Sequence, residues 1–116
     1  MGKSKEQNPA SYTLRISENA LCNLDEITGY IAFVRHQPQN AIHVGEMFFD
    51  TIRRIQKNPL AFRECDEIPT SSKIYRKAVC LSWLIIYKIK SDVITVLGVI
   101  HGSRRPSKIS RLRRRK

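Results

Sequence analysis

The sequence predicts an α+β domain in which an N-terminal strand, an antiparallel helical hairpin and three later strands follow one another as β-α-α-β-β-β. Three observations predict it. Two apolar stripes at helical spacing lie on either side of Gln37 and Pro38. A strictly alternating run, residues 12–16, precedes them. An apolar strand pair follows, with residues 83–87 as the buried middle strand, residues 93–100 returning beside it and Lys90, Ser91 and Asp92 at the turn. At 116 residues the chain has length for one domain built on a single core.

The elements follow in order. Residues 1–10 are polar, with Pro9 near their end, and read as a loose leader. Tyr12, Leu14 and Ile16 share one face, so this strand is half-buried. Ser17 is placed to cap a helix over about 18–36, with Glu18 at the positive end of its dipole. Ala20, Leu24, Ile27, Ile31 and Val34 form its apolar stripe. Pro38 suits the first position of a second helix over about 38–57, whose stripe is Ala41, Val44 or Gly45, Phe48, Ile52 and Ile55. Gly45 costs that helix about 1 kcal/mol relative to alanine, which close approach of the first helix would explain. Asn58 and Pro59 end it, and the stretch to Ser72 reads as a loop. Strands are predicted over roughly 74–79, 82–89 and 93–100, with Trp83 and Tyr87 in the core.

The charge is uneven. Lys and Arg number 21 against 10 Asp and Glu, a net +11. Eight cations and no acid follow Ser103, so residues 1–102 carry only +3. The chain therefore divides into the leader 1–10, a folded body 11–102 and a basic tail 103–116. A basic tail meets phosphates or an acidic protein segment, or is simply solvated. Ile109 and Leu112, three apart, permit one short amphipathic turn within it. Cys22, Cys65 and Cys80 are odd in number and far apart, which argues against a disulfide framework or a metal site and fits a reducing cytoplasm. Cys22 and Cys80 read as small core residues. The apolar run 81–87 is too short to span a bilayer, and Glu6 stands where N-myristoylation requires a hydroxyl residue.

Cations cluster at the ends of the apolar strands: Lys73, Arg76 and Lys77 on one, Arg104 and Arg105 after another. Unpaired charge is not buried, so these should line one rim of the sheet, extended by Lys108 and Arg111. His101 is the one histidine near that rim. It could move protons, or cap the last strand by donating to a backbone carbonyl. Arg76 and Arg104 are candidates for a phosphate or carboxylate clamp, against solvated strand-edge charge. His36 and His43 fall in the hairpin and read as surface or packing residues.

The order and spacing of residues 12–17, Ala20 to Ile31, Ala41 to Ile55, Asn58 with Pro59, Tyr75 with Arg76, residues 84–87 and residues 99–104 resemble the RelE/ParE superfamily of toxins from bacterial type II toxin–antitoxin systems. The resemblance covers residues 12–106 and implies the RelE/ParE-like fold, a cytoplasmic toxin without a cofactor, and a cognate acidic antitoxin that folds across the rim. It also implies one of two activities. RelE-like members cut messenger RNA in the ribosome, which demands cations against developing charge and a proton donor or acceptor. His101, Arg76 and Arg104 would then be catalytic. ParE-like members poison DNA gyrase and need a binding surface. The chain resembles the ParE-like branch more closely: Leu84 stands where RelE-like enzymes keep an arginine, no aromatic follows Tyr87, and Arg76 with the 101–104 run matches the ParE-like pattern. Arg105 departs from that pattern, which has an aspartate there. The resemblance thus implies a growth-arresting, plasmid-stabilising toxin directed at gyrase, with the tail as a possible nucleic-acid contact and the ribosome and its message as the alternative target.

Overall fold

The computed structural model describes residues 12–70, 72–103, 109 and 111–114. A five-stranded sheet carries the fold, in the order β1 (Thr13–Ile16), β5 (Val93–His101), β4 (Trp83–Lys90), β3 (Tyr75–Cys80) and β2 (Arg63–Glu64). β1 runs parallel to β5 and the other pairings are antiparallel. Two helices, α1 (Glu18–Gly29) and α2 (Pro38–Lys57), pack on one face, α1 against β5 and α2 against β3. The predicted α+β order holds, with β2 added inside the stretch read as loop. Two residues are too few to show alternation, and only pairing with Lys77 and Arg76 makes them a strand.

Ser17 caps α1. Its Oγ accepts from the Ala20 N–H at 3.0 Å, and its hydroxyl donates to the Leu97 carbonyl at 3.1 Å. Ala20, Leu24 and Ile31 are buried as their stripe requires, but Val34 is 59% exposed. A π-helical turn, Tyr30–Val34, follows α1, and the Arg35 N–H reaches back five residues to the Tyr30 carbonyl. That wider turn carries Val34 off the stripe, and His36, at φ 54°, ends the element. Cys22, expected in the core, is exposed. It stands two residues from both Ala20 and Leu24, and at about 100° per residue that turns it away from the sheet.

α2 has the predicted bounds, and Ala41, Val44, Phe48, Ile52 and Ile55 are buried. Gly45 faces α1, yet a Cβ there would lie 3.8 Å from Thr28 Cγ2, an ordinary contact. Close helix approach therefore does not demand the glycine.

β4 is central, with Ile85, Ile86 and Tyr87 fully buried. Ile86 pairs with Gly98 and Tyr87 with Val96, so Leu97 is an extra residue that bulges β5. Its carbonyl turns toward α1 and accepts from Ser17 Oγ and from Asn19 Nδ2, the latter at 3.0 Å.

Where one core was expected there are two. The helices cover one face of the sheet; on the other, Cys65, Ile68, Tyr75, Ile86 and Leu97 pack with Ile109 and Leu112. The segment read as a separate basic tail thus contributes two buried side chains, the second from a 3-10 turn over Arg111–Arg114.

Candidate interaction surfaces

The expected single rim divides. Arg76 lies opposite Tyr87, which pairs with Val96, whereas His101 lies opposite Trp83. Five residues of β5, roughly 16 Å at the rise of a strand, separate their levels. The register therefore does not bring Arg76 to the His101 end of the sheet. Arg104, Arg105 and Lys108 lie outside the described residues.

Arg76 is engaged with backbone carbonyls of other residues. Nη1 donates to the Phe62 carbonyl at 2.8 Å and the Leu60 carbonyl at 3.3 Å, and Nε donates to the Lys73 carbonyl at 3.3 Å. Beside it the buried Tyr87 hydroxyl donates to the Pro59 carbonyl at 2.6 Å. Burial raises the Tyr87 ionisation far above its usual range, against the opposing pull of the Arg76 charge. Together these two side chains hold the stretch from Pro59 to Phe62, and Lys73, on the sheet.

Lys77 pairs with Glu67 at 3.1 Å, and the Cys65 thiol donates to the same carboxylate at 3.5 Å. Burial works to raise the Glu67 carboxyl, but hydrogen bonds from Lys77 and its own backbone N–H, with the Lys77 charge, hold it below the ordinary value of 4.5. The Cys65 thiol is pushed up to about 11, first by burial and then by the Glu67 charge and hydrogen bond. It stays protonated and inert at neutral pH. Lys73, at φ 55°, and Arg111 are exposed.

His101 is exposed, and its Nδ1 accepts from the Ser103 N–H at 3.2 Å and lies 2.8 Å from Ser103 Oγ. Its Nδ1 thus meets the Ser103 backbone as an acceptor, where donation to a backbone carbonyl was expected. The ring stands edge-on to Trp83 with centroids 6.0 Å apart. His36 and His43 are exposed on the hairpin. Among the described residues no three His, Cys, Asp or Glu side chains gather as metal ligands, and no helix is long and apolar enough to cross a membrane.

What the rim reading missed is the outer face of the hairpin. Phe33 is 80% exposed, and Leu21, Ile42 and Phe49 stand out of the same face at 44–57%. They border an apolar groove of about 640 Å³ between the helices, floored by Ala32, Ala41 and Gly45. Single exposed apolar residues are ordinary; a contiguous row of large ones marks an interaction surface. The signal was present in the sequence: these residues are apolar at positions off both stripes, where an amphipathic helix should be polar.

A second groove, about 790 Å³, runs between α1 and the end of β5. Glu26 and Tyr30 line it from the helix side, and Trp83, Val99 and His101 from the sheet.

The family model for the ParE toxin of the type II toxin–antitoxin system parDE matches residues 14–106. Among solved structures, the chromosomal ParDE toxin–antitoxin system from P. aeruginosa is similar, with a TM-score of 0.62 at 15% identity over 79% of this chain and 97% of that one. At that identity the likeness is one of fold. No curated protein matches in sequence.

Proposed function

The chain belongs to the ParE toxin family of type II toxin–antitoxin systems, and from that premise we propose that it arrests growth by binding and poisoning DNA gyrase, not by cutting RNA. Its partner is a cognate antitoxin. The observation that carries the gyrase reading is the engagement of Arg76. Its guanidinium donates to three backbone carbonyls, at the level of Tyr87 and away from His101. An RNA-cutting site would need such a cation near the proton-transfer group, against the charge that develops in the transition state. A gyrase poison needs a surface and no proton relay.

For the antitoxin, the hairpin groove supplies an apolar surface. An amphipathic segment that folds on binding would bury its apolar face against Phe33, Ile42, Leu21 and Phe49. Acidic residues at its edges would suit a chain of net charge +11. Arg111, which is exposed, remains available to the DNA of a gyrase complex, a contact that fades with salt as counterions compete.

The test compares gyrase supercoiling and cleavage with message cutting in a cell-free translation system, for the parent and for His101→Ala. Inhibited supercoiling with intact message, and arrest retained in His101→Ala, is the expected result. Cut ribosome-bound message with gyrase untouched, and arrest abolished by His101→Ala, would replace this reading with the endoribonuclease. For the antitoxin, Phe33→Ser with Ile42→Ser should weaken the complex by at least tenfold, since two exposed apolar anchors are lost.

A further inference from the structure

We propose that the groove between α1 and the end of β5 is a second docking site, which takes an extended segment of another protein as an added strand and receives a basic side chain against Glu26. The inference does not rest on the gyrase reading, and it concerns a surface separate from the hairpin groove.

Among the described residues the strand pairing leaves this edge open to such a partner. β5 has nine residues, and β4 pairs along its full length on one side. On the other side β1 pairs only from Val93 to Val96, because the chain turns at Ser17 into α1. Two side chains one helical turn apart then substitute for a strand. Asn19 Nδ2 donates to the Leu97 carbonyl at 3.0 Å, and Asn23 Oδ1 accepts from the Val99 N–H at 2.9 Å. The Gly102 N–H bonds the Ser82 carbonyl at 2.8 Å, which fixes the alternation past the bulge. Residues 100 and 102 therefore turn their backbone groups toward β4, while 99 and 101 turn theirs toward α1. Among the described residues no strand pairs with β5 beyond Val96 on that side. At the next steps toward the groove stand Glu26 on α1 and Tyr30 at the start of the π-helical turn, which offer a carboxylate and a ring where Asn19 and Asn23 offered amides.

These features select an occupant. A row of strand-edge backbone groups asks for an extended backbone, with side-chain pockets giving specificity. Among the described residues that line the groove, Glu26 is the one fixed charge, in a chain that is otherwise strongly basic. Tyr30, 53% exposed, and Trp83 flank the space with aromatic surface. An arginine or lysine side chain satisfies both the carboxylate and the rings. A phosphate or an acidic side chain would meet Glu26 as a like charge.

The test uses the full chain, isotope-labelled, with two short threonine–valine peptides that differ at one central position, arginine in one and glutamate in the other. The arginine peptide should shift the Val99 and His101 amides and the Asn23 side-chain amide, and the glutamate peptide should not. Glu26→Lys, at an exposed position, should reverse that preference with unchanged melting temperature. No shift at millimolar peptide, equal response to both peptides, or shifts confined to Phe33 and Ile42 would each overturn the proposal. So would binding that emerges only after removal of residues 113–116, because the chain's own basic end would then be the occupant.

Discussion

Leu112 occupies the space that a side chain on Gly98 would need: a Cβ there would stand 2.9 Å from Leu112 Cδ2 and 3.1 Å from Cδ1. The bulge at Leu97 and the glycine after it shape the second face of the sheet, so that a leucine from the basic segment seats on it. Charge and core are thus combined in one stretch of chain.

Leu112→Ala should cost about 2–5 kcal/mol as a buried large-to-small change. Gly98→Ala should cost about 1–3 kcal/mol by overpacking. Because the two share one contact, the double variant should be more stable than the sum of the singles implies. Denaturant titration of the four proteins measures this, and strict additivity would mean that the two do not meet. Deleting residues 107–116 removes Ile109 and Leu112 along with the cations, so lost toxicity in that deletion would not isolate the effect of charge.

Arg76→Ala should destabilise the fold by about 1–3 kcal/mol, since it leaves the Leu60, Phe62 and Lys73 carbonyls without their donor. Arg76→Lys should not restore it, because an ammonium lacks the planar fork. Tyr87→Phe should cost a similar amount by leaving the Pro59 carbonyl unpaired in a buried site. Thermal melts decide the matter. An Arg76→Ala variant that melts like the parent and loses only partner binding would return this residue to the interaction surface.

Gly45→Ala should stabilise the protein by up to about 1 kcal/mol, through helix propensity and a less flexible unfolded chain. The space beside Thr28 admits the methyl group. A lower melting temperature in the alanine variant would show that the helices close more tightly than the 3.8 Å contact implies.

The Glu67–Lys77 pair makes stability depend on pH. Glu67 in the folded chain titrates below 4.5, its ordinary value, so the unfolded state binds more protons as the pH falls. The stabilisation is present above 4.5 and drains away as pH drops through the folded value. Melting temperatures of the parent and Glu67→Gln should differ most near neutrality and converge well below 4.5. A gap of constant size across that range would mean that the carboxylate charge is not what the pair contributes.

Phe48 is fully buried and stands edge-on to Trp83 with ring centroids 5.5 Å apart. Phe48→Ala should cost about 3–5 kcal/mol, read from the denaturation midpoint at unchanged slope. A variant as stable as the parent would place the α2 stripe outside the core.

The sequence by itself determined the elements whose cause is local. The α2 stripe, the Ser17 cap, the alternation of β1 and the apolar run of β4 each follow from spacing and residue type within a dozen positions. Tertiary structure decided everything that depends on pairing across the chain. Which end of the sheet Arg76 occupies is set by the register of β3 on β4, and a run of cations in sequence carries no information about that register. That Ile109 and Leu112 are buried depends on a face made by Leu97, Ile86 and Cys65, drawn from three distant segments. The exposed row at Leu21, Phe33, Ile42 and Phe49 was legible as apolar residues off the stripes, but its continuity exists only once two helices lie side by side. Local periodicity records which way a side chain points within its own element; what it then meets is settled by packing over the whole chain.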